Sequence, residues 1–545
     1  MENLIERPWY SAYPDGIERH LDFPECSLYQ MLENSVKVFG EQTALIYQGE
    51  QISYQNMMDK VDRLANAWDK LGIGKGDRIG LMVSNCPFYV YAFYAAQKLG
   101  AIVVQMNPMY TSREIKYITN TVDTRYLVTE SKYLEKVAQA AETNPFKHVF
   151  VIDDEKRQNV EVQSIPSLIQ SQLSKQLEPD VITPKEDIAV IQFTGGTTGK
   201  MKGAMLTHYN LVANVMQSYL MYGEEMKKGK EVTLTCTPLY HVYAMTSGMN
   251  LSIYLGASNI LVPKFQVDRV LEIIQTYRPT FFPGVPTMYN AFINHPDVES
   301  YGLNCLKFCS SGSAPLPIDV IHRFEKVTGA TIGEGYGMSE TSPSTHRNPT
   351  KGVRKIGSIG IPFPGTDSKV VDVEGKELPP GSVGELIIHG PQVMKGYWKS
   401  PEETAKSLKN GWVHTGDLAT MDEDGYFYIV GRKKELIISG GFNVYPQEIE
   451  GVLYEHPEVK EAAAIGIPDD YSGERVKAYV VLNEGAKTTS GELKNFCQER
   501  LTRYKVPKEI EIRDSLPRNS VGKLLKRHLV KEETNEKQNR NTEAR

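Results

Sequence analysis

The segment from Phe193 to Gly203 constrains the fold more than any other, because it joins an apolar run to a loop rich in glycine, threonine and lysine. It reads Phe193-Thr-Gly-Gly-Thr-Thr-Gly-Lys-Met-Lys-Gly203 and directly follows the strand-like run Ile188–Phe193. Glycines let backbone amides approach an anion closely, while the hydroxyls and lysines add hydrogen-bond donors and positive charge. A strand that ends in such a loop predicts a site for the phosphates of a nucleotide.

The loop differs from the Walker form of kinases and ordinary ATPases. Lys200 is followed by Met201, where the Walker form places the serine or threonine that holds magnesium, and the glycine spacing also differs. The pattern therefore disfavours these two classes of enzyme. The structural alternative, a flexible surface loop that binds nothing, is disfavoured by the combined composition and position.

The chain has 545 residues, more than the roughly 250–300 that one hydrophobic core serves, so we expect at least two domains. From Ser27 to about Val430, helical patterns alternate with strand-like runs, which predicts a layered α/β domain. After Gly357, short strands alternate with turn dipeptides, and beyond Arg432 a fresh α/β pattern begins. The predicted parts are a large multi-layer N-terminal domain at 1–431 with a β-barrel-like subdomain at about 357–431, a hinge at 432–434, a small mobile α+β C-terminal lid domain at 435–530, and a disordered tail at 531–545.

The net charge, the cysteine spacing and the hydropathy indicate which partners and which cellular compartment to expect. A net charge of -6 gives no reason to expect nucleic acid as a partner. The six cysteines lack the spacing of a disulfide framework or a zinc site, which indicates a reducing compartment. The first residues do not read as a signal peptide, and the apolar stretches are too short to span a bilayer. We expect a cytoplasmic protein without a transmembrane segment; peripheral contact with the inner face of the membrane, and a homodimer, stay open.

Six further motifs follow the loop along the chain, each a short run of glycine, hydroxyl, aromatic or charged residues. They are Pro238–Tyr243, Ser310–Pro315, Gly335–Thr341, Trp412–Asp417, Gly431–Ile437 and Pro517–Lys523. Together with the loop, and in the same order, they resemble the adenylate-forming (AMP-binding) superfamily of acyl-CoA synthetases, peptide-synthetase adenylation domains and luciferases. The resemblance spans roughly Leu28–Leu529. Within this superfamily, Tyr240–Tyr243 and Phe442–Glu448 look most like bacterial long-chain fatty acid-CoA ligases.

The resemblance implies a nucleotide site with magnesium. Glu340 and Thr197 are the implied metal ligands and count among the catalytic residues; a carboxylate oxygen suits Mg²⁺, although a solvated surface glutamate is the alternative. Asp417 offers two oxygens for the ribose hydroxyls, or else forms a turn. Arg432 is implied at a ribose or phosphate oxygen, with a structural ion pair as the alternative. The implied ATP- and AMP-binding residues are Thr194, Gly195, Gly196, Thr197, Thr198, Gly199, Lys202, Gly312, Ser313, Ala314, Gly335, Tyr336, Gly337, Thr341, Asp417, Arg432 and Lys523.

Lys523 is the residue that the resemblance makes most important for catalysis. Its ammonium is implied to contact the substrate carboxylate and the α-phosphate together, which stabilises the charge that grows as pyrophosphate leaves. The alternative is one of several basic residues at a solvated helix start. Lys434 matches the superfamily's hinge position, where many members carry aspartate, and Glu435 follows where aspartate is common.

The acyl and coenzyme A sites are implied less sharply. His241, Met245, Gly284 and Val285 match positions along an acyl pocket, and His241 is also counted as catalytic. Each could equally belong to the ordinary core. The loop Gly440-Gly441-Phe442 is implied to shape the channel for the pantetheine arm of coenzyme A.

The implied reaction has two steps. ATP, with Mg²⁺ as cofactor, converts a fatty acid, most simply a long-chain one, to acyl-AMP and pyrophosphate. Coenzyme A then takes the acyl group and AMP leaves. The alternatives are the same fold acting on medium-chain or aryl acids, the same fold delivering the acyl group to a carrier-protein phosphopantetheine, and a non-catalytic sensor of acyl-CoA or nucleotide.

Overall fold

The structure, a computed structural model, describes residues 7–13, 17, 21–142, 144–153, 162–172, 177–194, 201–350, 352–469, 472–518 and 523–543. The chain divides into two units, each with its own core. The first comprises Met1–Asp367 with Ile388–Val413, and the second comprises Ser368–Ile387 with His414–Arg545.

Within the described residues, the first unit contains a sheet of eight strands. In spatial order they are Gly396–Tyr397, Lys202–Thr207, Ile188–Thr194, Ile102–Gln105, Arg78–Met82, Tyr126–Thr129, His148–Val151 and Gln163–Ser164. The strands from Ile188–Thr194 onward pair in parallel, whereas Lys202–Thr207 is antiparallel to both of its neighbours. Ile102–Gln105 and Tyr126–Thr129 are buried along their whole length, as expected of parallel strands covered on both faces.

A second sheet of the first unit has nine strands among the described residues. In spatial order they are Ile361–Pro362, Ser344–Arg347, Thr331–Gly337, Phe308–Ser311, Phe281–Gly284, Val232–Thr235, Ser258–Leu261, Thr43–Tyr47 and Glu50–Ser53. The strands from Thr331–Gly337 to Thr43–Tyr47 pair in parallel, and the strands beyond them at each edge are antiparallel. The carboxyl ends of the parallel strands therefore lie along one edge of this sheet.

Helices cover and separate these sheets. The α-helices of the first unit are Leu28–Phe39, Tyr54–Lys70, Pro87–Lys98, Ser112–Val122, Leu134–Ala141, Ile165–Ser171, His208–Tyr222, Leu251–Leu255, Val267–Tyr277, Pro286–Ile293, Ile318–Thr328 and Pro401–Ser407, with a π-helix at Ala244–Asn250 and 3₁₀ turns at Pro8–Ala12, Ser131–Tyr133, Gly223–Glu225, Val298–Tyr301, Leu303–Cys305 and Ser339–Thr341. Ser27, Thr111 and Thr207 each begin a helix with a reciprocal capping box. The helix Pro87–Lys98 is buried on all sides except at Phe88, which marks it as an inner layer of the domain.

The later part of the chain contains two smaller sheets, each with five strands among the described residues. The first consists of Asp367–Val371, Gly384–His389, Trp412–Met421 and Leu408–Lys409 in that order, with Phe427–Arg432 also paired to Trp412–Met421; the second consists of Phe442–Val444, Ile437–Ser439, Gly473–Leu482 and Val459–Asp469, with Glu509–Ile512 also paired to Gly473–Leu482. The helices of the second unit are Pro446–Tyr454, Ser490–Arg500 and Lys526–Glu543. Ile449 and Leu453 of the first of these helices pack with Val480 and Leu493 in the apolar core of the second unit.

A buried lysine ties the last helix to the second of these sheets. The Nζ atom of Lys477 lies 2.9 Å from Glu509, 2.7 Å from Glu511 and 2.6 Å from Glu533. Glu533 belongs to the helix Lys526–Glu543, whose Leu529 is also fully buried. The first turns of the helix are thus anchored by both an apolar contact and ion pairs.

The predicted fold class is confirmed: the chain is an α/β protein with a large N-terminal domain and a small α+β C-terminal domain. The domain boundaries at 431 and 435 stay predictions. The disordered tail at 531–545 also stays a prediction; the last helix spans Lys526–Glu543, and its Glu533 is ion-paired. Among the described residues, we find no helix whose length and apolar character would let it cross a membrane.

Candidate active site

The two ends of the glycine-rich loop lie side by side in the eight-stranded sheet. The strands Ile188–Thr194 and Lys202–Thr207 pair antiparallel, with Thr194 opposite Lys202. The predicted strand before the loop is therefore present. Thr194 and Lys202, the two predicted nucleotide-binding residues that flank the loop, lie next to each other. The remaining predicted contacts of the loop, Gly195, Gly196, Thr197, Thr198 and Gly199, lie outside the described residues.

Glu340 lies beside the ends of this loop, although in sequence it comes after a strand of the nine-stranded sheet. It belongs to the 3₁₀ turn Ser339–Thr341, which comes after the strand Thr331–Gly337 and packs against both strands that flank the loop. Its side chain is buried, with 7% exposed, and one carboxylate oxygen accepts a 2.7 Å hydrogen bond from the hydroxyl of Tyr397. Among the described residues, this is the side-chain hydrogen bond found for the carboxylate, and it engages one of the two oxygens. A buried carboxylate that is engaged through one oxygen is suited to a hard cation.

This arrangement fits a magnesium ion carried by a nucleotide. Mg²⁺ is commonly held by one or two carboxylates together with substrate phosphates, so Glu340 could supply the protein's share. Among the described residues no group of three or more histidine, cysteine or acidic side chains forms a metal cluster. Thr197, the second predicted ligand, is not among the described residues. The metal roles of both residues stay predictions.

Lys202 is held by two residues that the sequence analysis missed. It forms an ion pair with Glu403 of the helix Pro401–Ser407, and its ammonium lies 5.1 Å from the centre of the Tyr397 ring. Hydrogen bonds from Lys202 and Lys406 lower the pKa of Glu403 to about 2. Neither partner could be found from spacing, because Glu403 is 201 positions from Lys202 and Tyr397 sits in a strand of only two residues.

Two groups of the predicted ATP- and AMP-binding residues come together at the carboxyl ends of two neighbouring strands. Phe308–Ser311 and Thr331–Gly337 are parallel, with Ser311 opposite Glu334. Gly312, Ser313 and Ala314 follow the first strand, whereas Gly335, Tyr336 and Gly337 end the second, so the two groups lie side by side. A Cβ atom at Gly337 would overlap the carbonyl of Pro343, which explains the glycine there. The hydroxyl of Thr341 donates to the same carbonyl at 2.5 Å, so this residue fixes the turn.

Glu334 is a half-buried carboxyl directly before these residues. It accepts a hydrogen bond of 3.2 Å from the amide of Gly357. Arg354 is a nearby cation but is paired with Glu325, with 2.9 Å between its Nη2 atom and Oε2. Burial accordingly raises the pKa of Glu334 to about 7. Glu334 has no local signal in the sequence, because its burial depends on the packing of distant segments.

The predicted acyl residues are also neighbours. Met245 lies in the π-helix Ala244–Asn250, which contacts the strand Phe281–Gly284. Its sulfur accepts a 3.1 Å hydrogen bond from Gln105, and it is fully buried. Val285 is buried next to Gly284, where a Cβ atom would crowd the rings of Phe282 and Tyr289. π-helical turns are frequent at functional sites.

His241 is half-buried just before this π-helix. Its Nδ1 atom accepts from the amide of Tyr243 at 3.3 Å, and its carbonyl accepts from the amide of Met245 at 3.0 Å. The hydroxyl of Tyr243 in turn lies 2.8 Å from the hydroxyl of Ser310. These bonds place His241 between the predicted acyl and nucleotide segments of the first unit, and its role stays a prediction.

The second unit carries the other predicted site residues. Asp417 and Arg432 are partners on paired strands, with 3.2 Å between Nε and Oδ1. Lys433 and Lys434 follow at once, and Lys433 pairs with Glu385 at 3.2 Å. The structural alternative for Arg432, an ion pair, is thus present in the structure, and the Arg432 side chain is 41% exposed.

The predicted coenzyme A loop is a tight turn. Gly440 and Gly441 have φ values of 58° and 83°, which other residues adopt only with strain. Phe442 is 55% exposed, and its ring stacks on Tyr504 with 4.6 Å between centroids. Lys523 precedes Leu524, which bridges to Arg518, whereas residues 519–522 lie outside the described residues.

Comparisons with known proteins agree with this arrangement. The model of the AMP-binding enzyme family matches residues 32–398, and the model of the AMP-binding enzyme C-terminal domain matches residues 448–523. A long-chain-fatty-acid–CoA ligase of Bacillus subtilis (strain 168) is 43% identical, with 97% of this chain and 98% of that protein covered. One from Escherichia coli O6:H1 is 37% identical, with 96% and 98% covered.

Solved structures share the fold. The crystal structure of ATP-bound MatB from Rhodopseudomonas palustris has a TM-score of 0.85 and 31% identity, covering 93% of this chain and 98% of that one. Family models, full-length relatives and fold thus point to the same group. The chain belongs to the AMP-binding enzyme family.

Proposed function

We propose that this protein is an ATP-dependent ligase that activates long-chain fatty acids as acyl-AMP and transfers the acyl group to coenzyme A. The structural observation that carries the proposal is the position of Glu340, buried and packed against both strands that flank the phosphate loop. The substrate class comes from relatives named as long-chain-fatty-acid–CoA ligases, which are similar along nearly the whole chain. Together, the position of Glu340 and these relatives favour an enzyme that activates an acid with ATP over a non-catalytic sensor.

The chemistry explains why ATP is needed. A carboxylate resists attack by a thiol because oxide is a poor leaving group, whereas a mixed anhydride with AMP has a good one. Lys202 and the loop would neutralise the triphosphate, and Lys523 would draw the acid carboxylate toward the α-phosphate. Magnesium, held by Glu340 and Thr197, would supply further positive charge when bound. Asp417 and Arg432 would hold the ribose.

The second half-reaction uses other residues of the chain. Rotation about Lys434 would withdraw Lys523 and present the loop Gly440–Phe442 to the acyl-adenylate. The turn geometry of the two glycines leaves backbone close to the surface, where a narrow pantetheine arm could pass. His241 and Met245, with Gly284 and Val285, would line the acyl chain.

Location and assembly complete the proposal. We infer that the protein works in the cytoplasm and meets its substrate at the inner face of the membrane, because long-chain acids partition into lipid. A homodimer is compatible with this activity. The large domain 1–431, the hinge 432–434 and the lid 435–530 are retained as its working parts.

The test is a panel of acids supplied to the purified protein with ATP, Mg²⁺ and coenzyme A. Release of AMP and pyrophosphate is followed for saturated acids of about two to eighteen carbons, for benzoate, and with a carrier protein in place of coenzyme A. We expect the highest kcat/KM with the long chains and coenzyme A. Release of ADP and phosphate would contradict the mechanism, and ATP binding without turnover on any acid would favour the sensor.

A further inference from the structure

Tyr397 and Lys202 share one face of the eight-stranded sheet. The strand Gly396–Tyr397 pairs antiparallel with Lys202–Thr207, and Tyr397 lies opposite Ala204. Because side chains alternate along a strand, those at 202 and 204 point to the same face, which brings the ring beside the ammonium. The observed separation of 5.1 Å between the ammonium and the ring centre is within the range of a cation–π contact.

The same tyrosine reaches the carboxylate that follows the other sheet. Its hydroxyl donates to Glu340 at 2.7 Å, and both side chains are 7% exposed. The tyrosine hydroxyl is the donor in this bond, because a carboxylate oxygen accepts. The backbone of Glu340 is fixed as well, since its carbonyl accepts from the amide of Met394 at 2.8 Å. The carboxylate is therefore held through one oxygen.

A short helix completes the network. Glu403, on Pro401–Ser407, pairs with Lys202 through one oxygen and with Lys406 through the other, the latter at 2.7 Å. The backbone amide of Tyr397 donates a 2.9 Å hydrogen bond to the hydroxyl of Thr404, and this bond connects the helix to Tyr397. If Lys202 turned to a triphosphate, Glu403 would keep Lys406 as a counter-ion, which lowers the cost of the exchange.

We propose that Tyr397 and Glu403 are positioning residues of the nucleotide site. Tyr397 orients Glu340 toward the metal that accompanies the triphosphate. Glu403 pairs with Lys202 until the triphosphate replaces Glu403 as the partner of Lys202. The proposal rests on the proposed function, because it assumes that ATP binds beside Lys202 and Glu340. It adds two residues, from a segment far along the chain, to those implied for this site.

Binding of ATP by titration calorimetry, without acid or coenzyme A, tests both roles. Measurements are made in excess Mg²⁺ and again in EDTA. Tyr397→Phe removes only the hydroxyl and should raise the Kd of MgATP about tenfold, with little change in EDTA, because the tyrosine acts through the carboxylate that meets the metal. Glu403→Gln should lower the Kd of ATP about two- to fivefold in both conditions, because Lys202 no longer has to leave an anion.

Two matched variants separate these effects from general ones. Glu402→Gln removes the same charge from the neighbouring exposed residue, and Tyr29→Phe removes a buried hydroxyl that donates to Asp62 at 2.9 Å. The proposal is overturned if Glu403→Gln matches Glu402→Gln or weakens binding, or if Tyr397→Phe matches Tyr29→Phe. If the unmodified protein binds no ATP in either condition, the proposed function fails and this inference fails with it.

Discussion

Replacing Glu334 by glutamine should stabilise the protein above neutral pH and leave its stability in acid unchanged. The carboxyl is half-buried, and the cation near it, Arg354, is already engaged by Glu325. Ionisation therefore costs more in the folded protein than in the unfolded chain, and burial raises the pKa from 4.5 to about 7. Glutamine is close in shape to the protonated acid and cannot ionise.

The sign and size of the effect follow from proton linkage. Below pH 4.5 the carboxyl of Glu334 is protonated in both states and contributes nothing. Between that pH and about 7 the unfolded chain loses the proton while the folded protein keeps it, so the free energy of unfolding falls as pH rises. Each pKa unit corresponds to about 1.4 kcal/mol, which gives about 3 kcal/mol above neutrality, reduced toward about 2 kcal/mol because water reaches a half-buried group.

The assay is urea unfolding of the unmodified protein and of Glu334→Gln at a series of pH values from about 5 to 8.5. The difference in unfolding free energy should grow with pH and level off above about 8. Glu299→Gln, at an exposed glutamate of the same unit, is the control and should show no such trend. A difference between the two proteins that is constant across the series would refute the reasoning.

Three further substitutions address the second unit. Lys523→Ala should reduce ATP–pyrophosphate exchange by about 10²–10³-fold yet spare thioester formation from supplied acyl-AMP; equal losses in both half-reactions would contradict the rotation of the small domain. Asp417→Asn should raise the KM for ATP about tenfold without changing the KM for the acid, because it weakens a group implied at the ribose and paired with Arg432; steady-state kinetics would show an effect on the acid instead if this role is wrong. Lys477→Met should destabilise the second unit by about 3 kcal/mol, since three glutamates lose one cation; an unchanged thermal midpoint would argue against the anchor.

Much of the fold could be predicted from the sequence where the signal is local. The run Ile188–Phe193, predicted to be a strand, is observed as the strand Ile188–Thr194. Buried parallel strands read as continuous apolar runs, and a helix that covers a sheet repeats its apolar positions. Motif order then gave the family, which the comparisons confirm.

The contacts of Lys202 could not be predicted in this way. Lys202 and Glu403 are distant in sequence, and Tyr397 lies on a strand too short to show a period. Glu334 reads as one more acidic residue, and its raised pKa results from burial by segments before and after it. Local pattern determines which residues form an element, whereas the charge that faces a side chain depends on how elements pack.

The predicted nucleotide site lies where two sheets meet, and this position has a consequence for how the site tolerates substitution. The apolar cores beside these sheets consist of buried side chains of the strands and helices. Their packing does not require the hydrogen bond between Tyr397 and Glu340. That bond joins the edge strand of one sheet to a turn that follows the other, and the ring of Tyr397, which packs in the first core, remains when only the hydroxyl is removed. Loss of the Tyr397 hydroxyl should therefore change ligand binding more than stability, whereas loss of an apolar side chain from the helix Pro87–Lys98 should do the reverse.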